Sequence, residues 1–392
     1  MFAGNPLIRR IRAQFRRWRA TRYAYTRLVE VRIHRSCLLH NLRQFQAACA
    51  PRRIAPVLKS NAYGHGLVHV ARVLDQSGIA FLVVDGYFEA LILRNEGIRS
   101  PILVIGYSAT DNIVASRLQG VAFTVFDVVQ LRELAQRLRQ RQAIHLKIDT
   151  GMRRHGVLPR EVHGALEVIR GCSNMVFEGL CSHLADANGR DASFTMGQIR
   201  KWNEVVASVR KEFPGVIHWH LANTAGSYYS DHIDANVVRL GIGLYGLDSQ
   251  SRRSLDLEPA LEVASRVGTA KSVAEGDYVG YGKQYQASRA SRMVTIPTGY
   301  GACVDVRLSN RGVFTIRGQS CPIIGRISMN STSVDASALP DVQVGEEVEI
   351  ISARSEALNS VANIARLCDT SPYVILAGIA PHLRRVVVDD SW

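Results

Sequence analysis

Residues 54–59 read Ile-Ala-Pro-Val-Leu-Lys, a short apolar run that ends in a lysine, and it is the first of eight such runs along the chain. The runs lie at 54–59, 80–85, 102–106, 121–126, 144–149, 176–182, 216–221 and 237–242. Most intervals are roughly 20–30 residues, enough for a strand, a helix and two turns. Continuous apolar runs are typical of parallel strands buried on both faces. The pattern predicts a (β/α)8 TIM-type barrel.

The segments between these runs have helical spacing of apolar residues. In 127–139, for example, Asp127 is the predicted N-cap. Beyond residue 258 the pattern changes to short runs in which apolar and polar residues alternate, and a helical pattern returns only at 355–368. These runs lie at 267–273, 277–282, 292–297, 313–318, 321–327 and 346–351. We therefore expect a barrel over 28–258 and a mainly β domain over 259–392, with the run 28–33 either in the barrel or joining the β domain.

The positive charge is concentrated at the N-terminus. The 392 residues contain 48 Lys and Arg against 34 Asp and Glu, a net charge of +14. Eight arginines and Glu30 give residues 1–30 a charge of +7, half of the total. The extension 1–27 is either a solvated basic segment without a catalytic role or a segment that contacts a membrane surface or a polyanion. The body lacks a basic aromatic motif, so we expect no nucleic-acid partner.

The cysteines indicate a reducing compartment. The seven are scattered, odd in number and without a Cys-x-x-Cys pair, which argues against a disulfide framework and against a zinc site. No apolar run approaches the roughly 20 residues that span a bilayer. We expect a cytoplasmic protein without a bound metal.

Reactive side chains follow the first predicted strand. Lys59 ends the run, and Tyr63 follows in the glycine-flanked segment 60–66. Barrel enzymes carry their chemistry at the carboxyl ends of strands, where loss of solvation favours a neutral, nucleophilic amine. The tyrosine could offer its hydroxyl to a phosphate. Lys59 alone would also fit a structural lysine whose stem packs along the strand.

The fifth and sixth runs end in polar groups as well. Lys147 faces the barrel interior by alternation with Asp149, and the arginine pair Arg153 and Arg154 is placed to bind a carboxylate with a planar fork. His183 follows the sixth run, where a histidine is either a satisfied core residue or a functional one.

The last two strand ends predict a phosphate site. Asn223 and Thr224 follow the seventh run, and Arg239, Gly241 and Ile242 lie along and after the eighth. The loops after strands seven and eight of a barrel commonly bind phosphate through N–H groups and hydroxyls. A phosphate site beside a lysine suggests pyridoxal 5′-phosphate, which needs an imine partner and a phosphate cradle.

From residue 28 to the C-terminus the chain resembles the alanine racemase family. The resemblance rests on the order and spacing of three motifs: Val-Leu-Lys-Ser-Asn-Ala-Tyr-Gly-His-Gly at 57–66, Lys-Ile-Asp-Thr-Gly-Met at 147–152 and Arg-Leu-Gly-Ile-Gly-Leu-Tyr-Gly at 239–246. It implies a homodimeric, pyridoxal-phosphate-dependent enzyme that interconverts L- and D-amino acids, built as a barrel followed by a β domain.

The resemblance also implies residue roles. Lys59 would hold the cofactor and act as base on one face of the substrate α-carbon. Tyr300 of a second subunit, in the pair Gly-Tyr at 299–300, would be the base on the other face. Racemisation requires such a pair, because the proton leaves from one side and returns from the other.

Other residues would hold the cofactor ring and the substrate. Arg239 would face the pyridine nitrogen with His183 behind it, leaving the ring a weak electron sink. Arg154 and the backbone around Met329 would orient the substrate carboxylate, and Lys147 matches a position that is carbamylated in many family members.

Three departures from the family pattern affect the expected pocket. Gly-Tyr is followed by Gly-Ala-Cys at 301–303, where the family usually has Ala-Asp-Gly, and Met329 is flanked by Ser328 and Asn330 where it has Cys and Asp. Pro381 replaces a C-terminal tyrosine that narrows the family's site.

We expect an alanine racemase, with a serine or broad-specificity racemase as the alternative. A barrel-type pyridoxal-phosphate decarboxylase and a non-catalytic cofactor-binding protein are further alternatives, which Arg239 and the β domain with Tyr300 disfavour.

Overall fold

The computed structural model describes residues 27–248 and 255–389. Among them, one compact unit, the β unit, contains the residues up to Val31 together with Val263–Ile350. The other, the barrel unit, contains the residues from Arg32 to Glu262 and those from Ile351 onward. The predicted domain boundary at 258 stays a prediction. The interpretation of the basic extension concerns residues that, apart from Arg27, lie outside the described part.

The strands of the barrel unit follow the predicted runs closely. They are β2 (Arg53–Pro56), β3 (Leu82–Val84), β4 (Ile102–Val104), β5 (Val121–Val125), β6 (Gln142–Lys147), β7 (Met175–Cys181), β8 (His218–His220) and β9 (Val237–Leu240), followed near the end of the chain by β17 (Arg384–Val388). Strands β3 to β8 form one parallel sheet in sequence order, and β2 pairs in parallel with β9.

Backbone hydrogen bonds close these strands into a barrel. Leu58 donates its N–H to the carbonyl of Val83 at 2.7 Å, which joins the end of β2 to β3. On the other side, Arg239 donates its N–H to the carbonyl of Ala222 at 3.0 Å, which joins β9 to the segment after β8. With the β2–β9 pair the circle is complete, and the predicted (β/α)8 barrel is confirmed.

Side chains on the two faces of the barrel strands form two separate hydrophobic cores, one between the strands and the helices and one inside the barrel. In β6, Ile144 and Leu146 belong to the large cluster between strands and helices, whereas Ala143 packs against the smaller interior cluster. Side chains at alternate positions point to opposite faces of a strand. His145 and Lys147 therefore share the interior face with Ala143. Polar groups in the barrel interior must find partners there, because burial without them costs free energy.

Helices surround the barrel strands. They are α1 (Arg35–Cys49), α2 (Leu67–Leu74), α3 (Tyr87–Asn95), α4 (Thr110–Ala115), α5 (Val128–Arg137), α6 (Val162–Arg170), α7 (Ser193–Glu212), α8 (Val361–Leu367) and α9 (Pro372–Ala377). Asp127 caps α5 as predicted, accepting a hydrogen bond from the N–H of Gln130 at 2.7 Å. No helix in the described part of the chain is both long and apolar enough to cross a membrane.

The strand pairs within the β unit are antiparallel: β11 with β12, β12 with β15, β13 with β14 and β13 with β16. Its strands are β1 (Val29–His34, which continues into the barrel unit), β10 (Leu261–Arg266), β11 (Thr269–Val273), β12 (Ser291–Ile296), β13 (Val313–Ile316), β14 (Gln319–Pro322), β15 (Thr332–Asp335) and β16 (Glu347–Ile351). One sheet has the order β14-β13-β16-β10-β1, and a second has the order β11-β12-β15. This confirms the predicted mainly β architecture after the barrel.

Candidate active site

Predicted site residues gather at the carboxyl end of the barrel. Lys59 follows β2, Lys147 ends β6, His183 follows β7 and Arg239 lies in β9. The carboxyl ends of parallel strands share one end of a barrel, so these side chains converge there. Burial lowers the pKa of Lys147, and the positive charges of Arg239, Arg154 and Lys59 lower it further. Four of the predicted cationic side chains therefore share one electrostatic environment.

A left-handed turn follows Lys59 directly. Ser60, Asn61, Ala62 and Tyr63 have φ angles of 54°, 55°, 52° and 51°. Left-handed backbone costs a residue with a Cβ roughly 1–2 kcal/mol. Four such residues in succession need compensating contacts, and the strain lies beside the predicted catalytic lysine.

Hydrogen bonds from two side chains stabilise this turn. His65 Nδ1 donates to the carbonyl oxygens of Ala62 at 3.1 Å and Tyr63 at 2.9 Å. Burial lowers the pKa of His65 to about 4, so the ring stays neutral. Arg385 Nε donates to the carbonyl of Gly64 at 2.7 Å. The C-terminal segment therefore helps to hold the turn in place.

The strain in this left-handed turn leads us to a prediction about the stability of the protein. Ser60 is exposed, so replacing it changes few packing contacts. We expect Ser60→Gly to raise the free energy of unfolding by about 0.5–1 kcal/mol, because relief of left-handed strain exceeds the added entropy of the unfolded chain. Urea unfolding at fixed protein concentration measures the change. Ser60→Ala keeps the Cβ and is the matched control, and a glycine variant no more stable than the alanine variant would contradict the prediction.

Hydrogen-bond donors surround a glycine close to this turn. Tyr63 Oη lies 3.0 Å from the place that a Cβ on Gly241 would occupy. Thr224 Oγ1 accepts from the N–H groups of Gly241 at 3.1 Å and Gly243 at 3.3 Å, which leaves its own hydrogen to donate. Within the described residues, the N–H of Ile242 has no acceptor. Two hydroxyls and one N–H therefore form a cradle of the kind that binds phosphate.

Further contacts hold the walls of this cradle. Asn223 Oδ1 accepts from the N–H of Gly226 at 2.8 Å and shapes the loop that carries the cradle threonine. Tyr245 Oη donates to the carbonyl of Val57 at 2.8 Å, and its ring lies 5.1 Å from that of Tyr63. These contacts fix the position of the Tyr63 ring.

Both terminal nitrogens of Arg239 contact hydrogen-bond acceptors. Its Nη1 contacts the carbonyl oxygen and Nδ1 of His220 at 2.8 and 2.7 Å. Its Nη2 contacts the carbonyl oxygens of Ser182 and Leu221 at 2.7 and 3.0 Å, and Nδ1 of His183 at 3.1 Å. A guanidinium only donates, so both histidines accept through Nδ1 and carry their hydrogen on Nε2. Burial, and after it the charge of Arg239, lowers the pKa of both rings well below its ordinary value, which keeps them neutral.

A third histidine, His145, extends this network. His220 Nε2 lies 2.8 Å from Nδ1 of His145. Because His220 accepts from Arg239, it must donate to His145, and the hydrogen of His145 then lies on Nε2. Sequence reasoning missed both rings. For His145, the sequence did contain an indication: alternation along β6 puts its side chain on the same face as that of Lys147.

Lys147 is a buried amine with no carboxylate neighbour among the residues that the structure describes. It is 7% exposed, and its Nζ lies 5.5 Å from the centre of the Phe126 ring. No described carboxylate lies within salt-bridge distance of it. An unpaired ammonium is costly in such a place, so the site favours either the neutral amine or a derivative of it.

The predicted residues of the β unit are also brought together. Gly301 donates its N–H to the carbonyl of Met329 at 2.8 Å, and Tyr300 donates to that of Ser328 at 3.1 Å. A Cβ on Gly299 would lie only 2.0 Å from the Ser328 carbonyl oxygen, so this approach requires glycine. Tyr300 and Met329 are 50% and 55% exposed, which leaves both available to a second molecule.

The C-terminal part of the barrel unit borders the left-handed turn. The ring of Tyr373 in α9 lies 5.8 Å from that of Tyr63. Pro381 and Arg385 line a cavity of about 410 Å³ together with Asn61 of the turn. Sequence reasoning singled out Pro381 but missed Tyr373 and Arg385, whose positions depend on contacts across more than 300 residues.

Comparison with known proteins accounts for this arrangement. The profile of the alanine racemase N-terminal domain matches residues 33–249, and that of the alanine racemase C-terminal domain matches residues 260–387. The chain belongs to the alanine racemase family. Alanine racemase 2 of Caldanaerobacter subterraneus subsp. tengcongensis is 30% identical over 369 residues, which cover 92% of this chain and 95% of the relative. We therefore describe the chain as an amino-acid racemase.

Solved structures of racemases share its fold. Alanine racemase of Clostridium difficile 630 superposes with a TM-score of 0.86 at 27% identity, covering 94% of this chain and 97% of that one. Histidine racemase of Leuconostoc mesenteroides subsp. sake superposes with a TM-score of 0.85 at 25% identity, covering 93% and 99%. One fold therefore serves racemases named for different amino acids.

Proposed function

We propose that this racemase interconverts L- and D-alanine with pyridoxal 5′-phosphate as its cofactor. The observation that carries the proposal is the convergence of Lys59, the donor cradle at Gly241 and the buried Arg239 at one end of the barrel. An amine, a phosphate site and a ring-nitrogen partner are the three groups that such a cofactor requires.

The residues fit the cofactor in size and charge. A Cβ on Gly241 would close the cradle, and Tyr63, Thr224 and Ile242 supply the donors for phosphate oxygens. Lys59 would hold the cofactor covalently. Arg239 would face the ring nitrogen with a permanent positive charge, which keeps that nitrogen unprotonated and favours racemisation over decarboxylation. When bound, the cofactor withdraws electrons from the substrate α-carbon, so that its proton can be removed.

The chain's own residues would then move the proton. The Lys59 amine would accept or return it on one face of the substrate, and the Tyr300 hydroxyl of a second copy would do so on the other. Arg154 and the backbone at Met329 would orient the substrate carboxylate. A proton that leaves to one base and returns from the other inverts the centre.

A homodimer would complete such a site. In the β unit, Tyr278, Tyr281 and Val306 are 52%, 69% and 41% exposed, as are Tyr300 and Met329 to about the same degree. Exposed apolar and aromatic side chains of this kind are enriched in protein interfaces. All seven cysteines are free thiols, which is consistent with the cytoplasm as the proposed location.

A chiral assay tests the proposal directly. The purified protein is incubated with pyridoxal phosphate and each member of a panel of L-amino acids, and the D-enantiomers are separated and quantified. We expect D-alanine to form, and D-alanine should give the L-enantiomer in the reverse assay. Carbon dioxide release without D-amino acid would identify a decarboxylase, and no turnover would identify a cofactor-binding protein.

A second candidate is a racemase with a wider substrate range, including serine. The observation that favours it is Pro381, which lies beside the left-handed turn at the position where the family usually has a tyrosine. We expect Pro381→Tyr to lower kcat/KM for larger amino acids relative to alanine by at least about tenfold, because a ring at this position would narrow the site. Pro381→Ala is the control and should keep the ratio. A wild-type enzyme with strict preference for alanine would contradict this candidate.

We also propose that Lys147 is carbamylated. Its neutral amine would add carbon dioxide and release a proton, and the resulting anion would balance Arg154 and Arg239 nearby. We expect Lys147→Ala to lower kcat/KM by about 10–100-fold, which corresponds to the loss of one charge-assisted hydrogen bond. Added acetate should restore part of the lost activity. NMR with 13C-bicarbonate should show a carbamate signal in the wild type and none in the variant. Absence of the signal in the wild type would refute the modification, and Lys201→Ala, at an exposed site, is the control for activity.

A further inference from the structure

A second cavity opens at the opposite end of the barrel from the candidate active site. Its volume is about 340 Å³. It is lined by residues at the amino ends of the strands, among them Ile102 of β4, Val121 of β5 and Gln142 of β6. The catalytic lysine and the phosphate cradle lie at the carboxyl ends. The cavity is therefore separate from the substrate site, and the proposed reaction does not use it.

The lining of this cavity is amphipathic. Phe81, Leu103 and Ala122 supply an apolar surface inside the barrel. Arg117 and Arg141 are exposed and lie in the same lining. Arg141 makes no hydrogen bond or ion pair with any residue that the structure describes. An apolar body with an anionic group matches such a surface.

One acidic side chain, Glu178, lies in the same lining and, among the described residues, has only a neutral, distant histidine beside it. The carboxylate of Glu178 is 3.7 Å from Nε2 of His218, and burial raises its pKa. Two arginines against one glutamate leave the lining net positive, which favours an anionic ligand over a cationic one.

His145 adds a buried donor to the cavity. It is 1% exposed, and its Nδ1 is occupied by His220 at 2.8 Å. Its Nε2 carries the hydrogen by the tautomer argument above, yet it has no partner within the described chain and is not sealed from the cavity. A donor that faces the cavity and has no acceptor in the described protein favours a ligand atom that can accept its hydrogen over an apolar one.

We propose that this cavity, called here the amino-end site, binds a small aromatic carboxylate with a hydrogen-bond acceptor opposite its carboxylate. The carboxylate pairs with Arg141 and Arg117 at the mouth, the ring packs against Phe81, and the acceptor receives the hydrogen of His145 Nε2. The ligand stabilises the tautomer of His145 that accepts from His220. The amino-end site is thereby linked to the arginine of the catalytic end by hydrogen bonds.

The test uses 4-hydroxybenzoate as the probe and the full-length, cofactor-loaded protein. Isothermal titration is done in the presence of saturating alanine, so that the catalytic site is occupied. We expect saturable binding of one probe per chain. Benzoate, which lacks the acceptor, should bind more weakly, and the probe should shift the 15N resonance of His145 Nε2 in histidine-labelled protein.

Two variants distinguish binding at the amino-end site from binding elsewhere on the protein. Arg141→Gln should weaken binding by about tenfold or more through loss of a charge-assisted contact. Ala143→Leu should abolish binding by filling the cavity. Both should keep the wild-type unfolding midpoint. No saturation at millimolar probe, unchanged affinity in both variants, or competition by alanine would overturn the proposal, and none of these outcomes depends on whether the protein racemises alanine.

Discussion

Replacing Lys59 with alanine is expected to abolish racemisation and the visible absorption of the lysine-bound cofactor together. Lys59 follows the first barrel strand and precedes a left-handed turn that the protein stabilises with His65 and Arg385. The amine has two roles, covalent attachment and proton transfer, and a general base alone contributes about 10²–10⁴-fold. We expect kcat/KM to fall by at least that factor. Steady-state assays and an absorption spectrum measure the two effects.

The spectrum separates this role from simple misfolding. In Lys59→Ala the cradle formed by Tyr63, Thr224 and Ile242 is intact, so the variant should still bind the cofactor, reversibly and without the lysine-bound absorption band. Lys201→Ala, an exposed lysine in α7, is the matched control and should keep both activity and spectrum. A Lys59→Ala protein that retains the band would remove Lys59 from its proposed role.

The barrel could be predicted from the sequence because its strands are buried on both faces. Each apolar run overlaps an observed strand, since parallel strands covered by helices on both faces give such continuous runs. The strands of the β unit were harder to predict from the sequence. The run 277–282 is not a strand, because Gly280 and Gly282 have φ angles of 76° and 71° and turn the chain. Strand β15, with only Thr332 and Val334 buried, has too little apolar pattern to be recognised.

The positions of the candidate site residues at strand ends could also be predicted, whereas the residues that contact them could not. Lys59 and Arg239 follow from their positions in the motifs. The histidine network behind Arg239 joins β6, β8 and β9, and no local pattern connects strands that are so distant in sequence. The left-handed turn could not be predicted, because Ser60 and Ala62 have no preference for that conformation and adopt it only under tertiary contacts.

Replacing Tyr300 with phenylalanine is expected to stop racemisation while leaving proton exchange on the lysine face. The phenol is the proposed second base, and its loss should lower racemisation by about 10²–10⁴-fold. In D2O, one enantiomer of alanine should still exchange its α-hydrogen without inversion, and the other should not. Mass spectrometry of the separated enantiomers measures this asymmetry. Tyr285→Phe, at a partly buried tyrosine that packs against a hydrophobic cluster of the same β unit, is the control and should racemise normally.

Mixing the two inactive variants tests whether the second base comes from another copy. Lys59→Ala and Tyr300→Phe chains are unfolded and refolded together, so that mixed dimers form. If each site combines the lysine of one chain with the tyrosine of the other, a mixed dimer contains one site with both wild-type residues, and racemisation returns. If one chain supplies both residues, every site in the mixture lacks a base and activity stays absent. Since Tyr300 is 50% exposed in the single chain, we expect the mixture to regain activity.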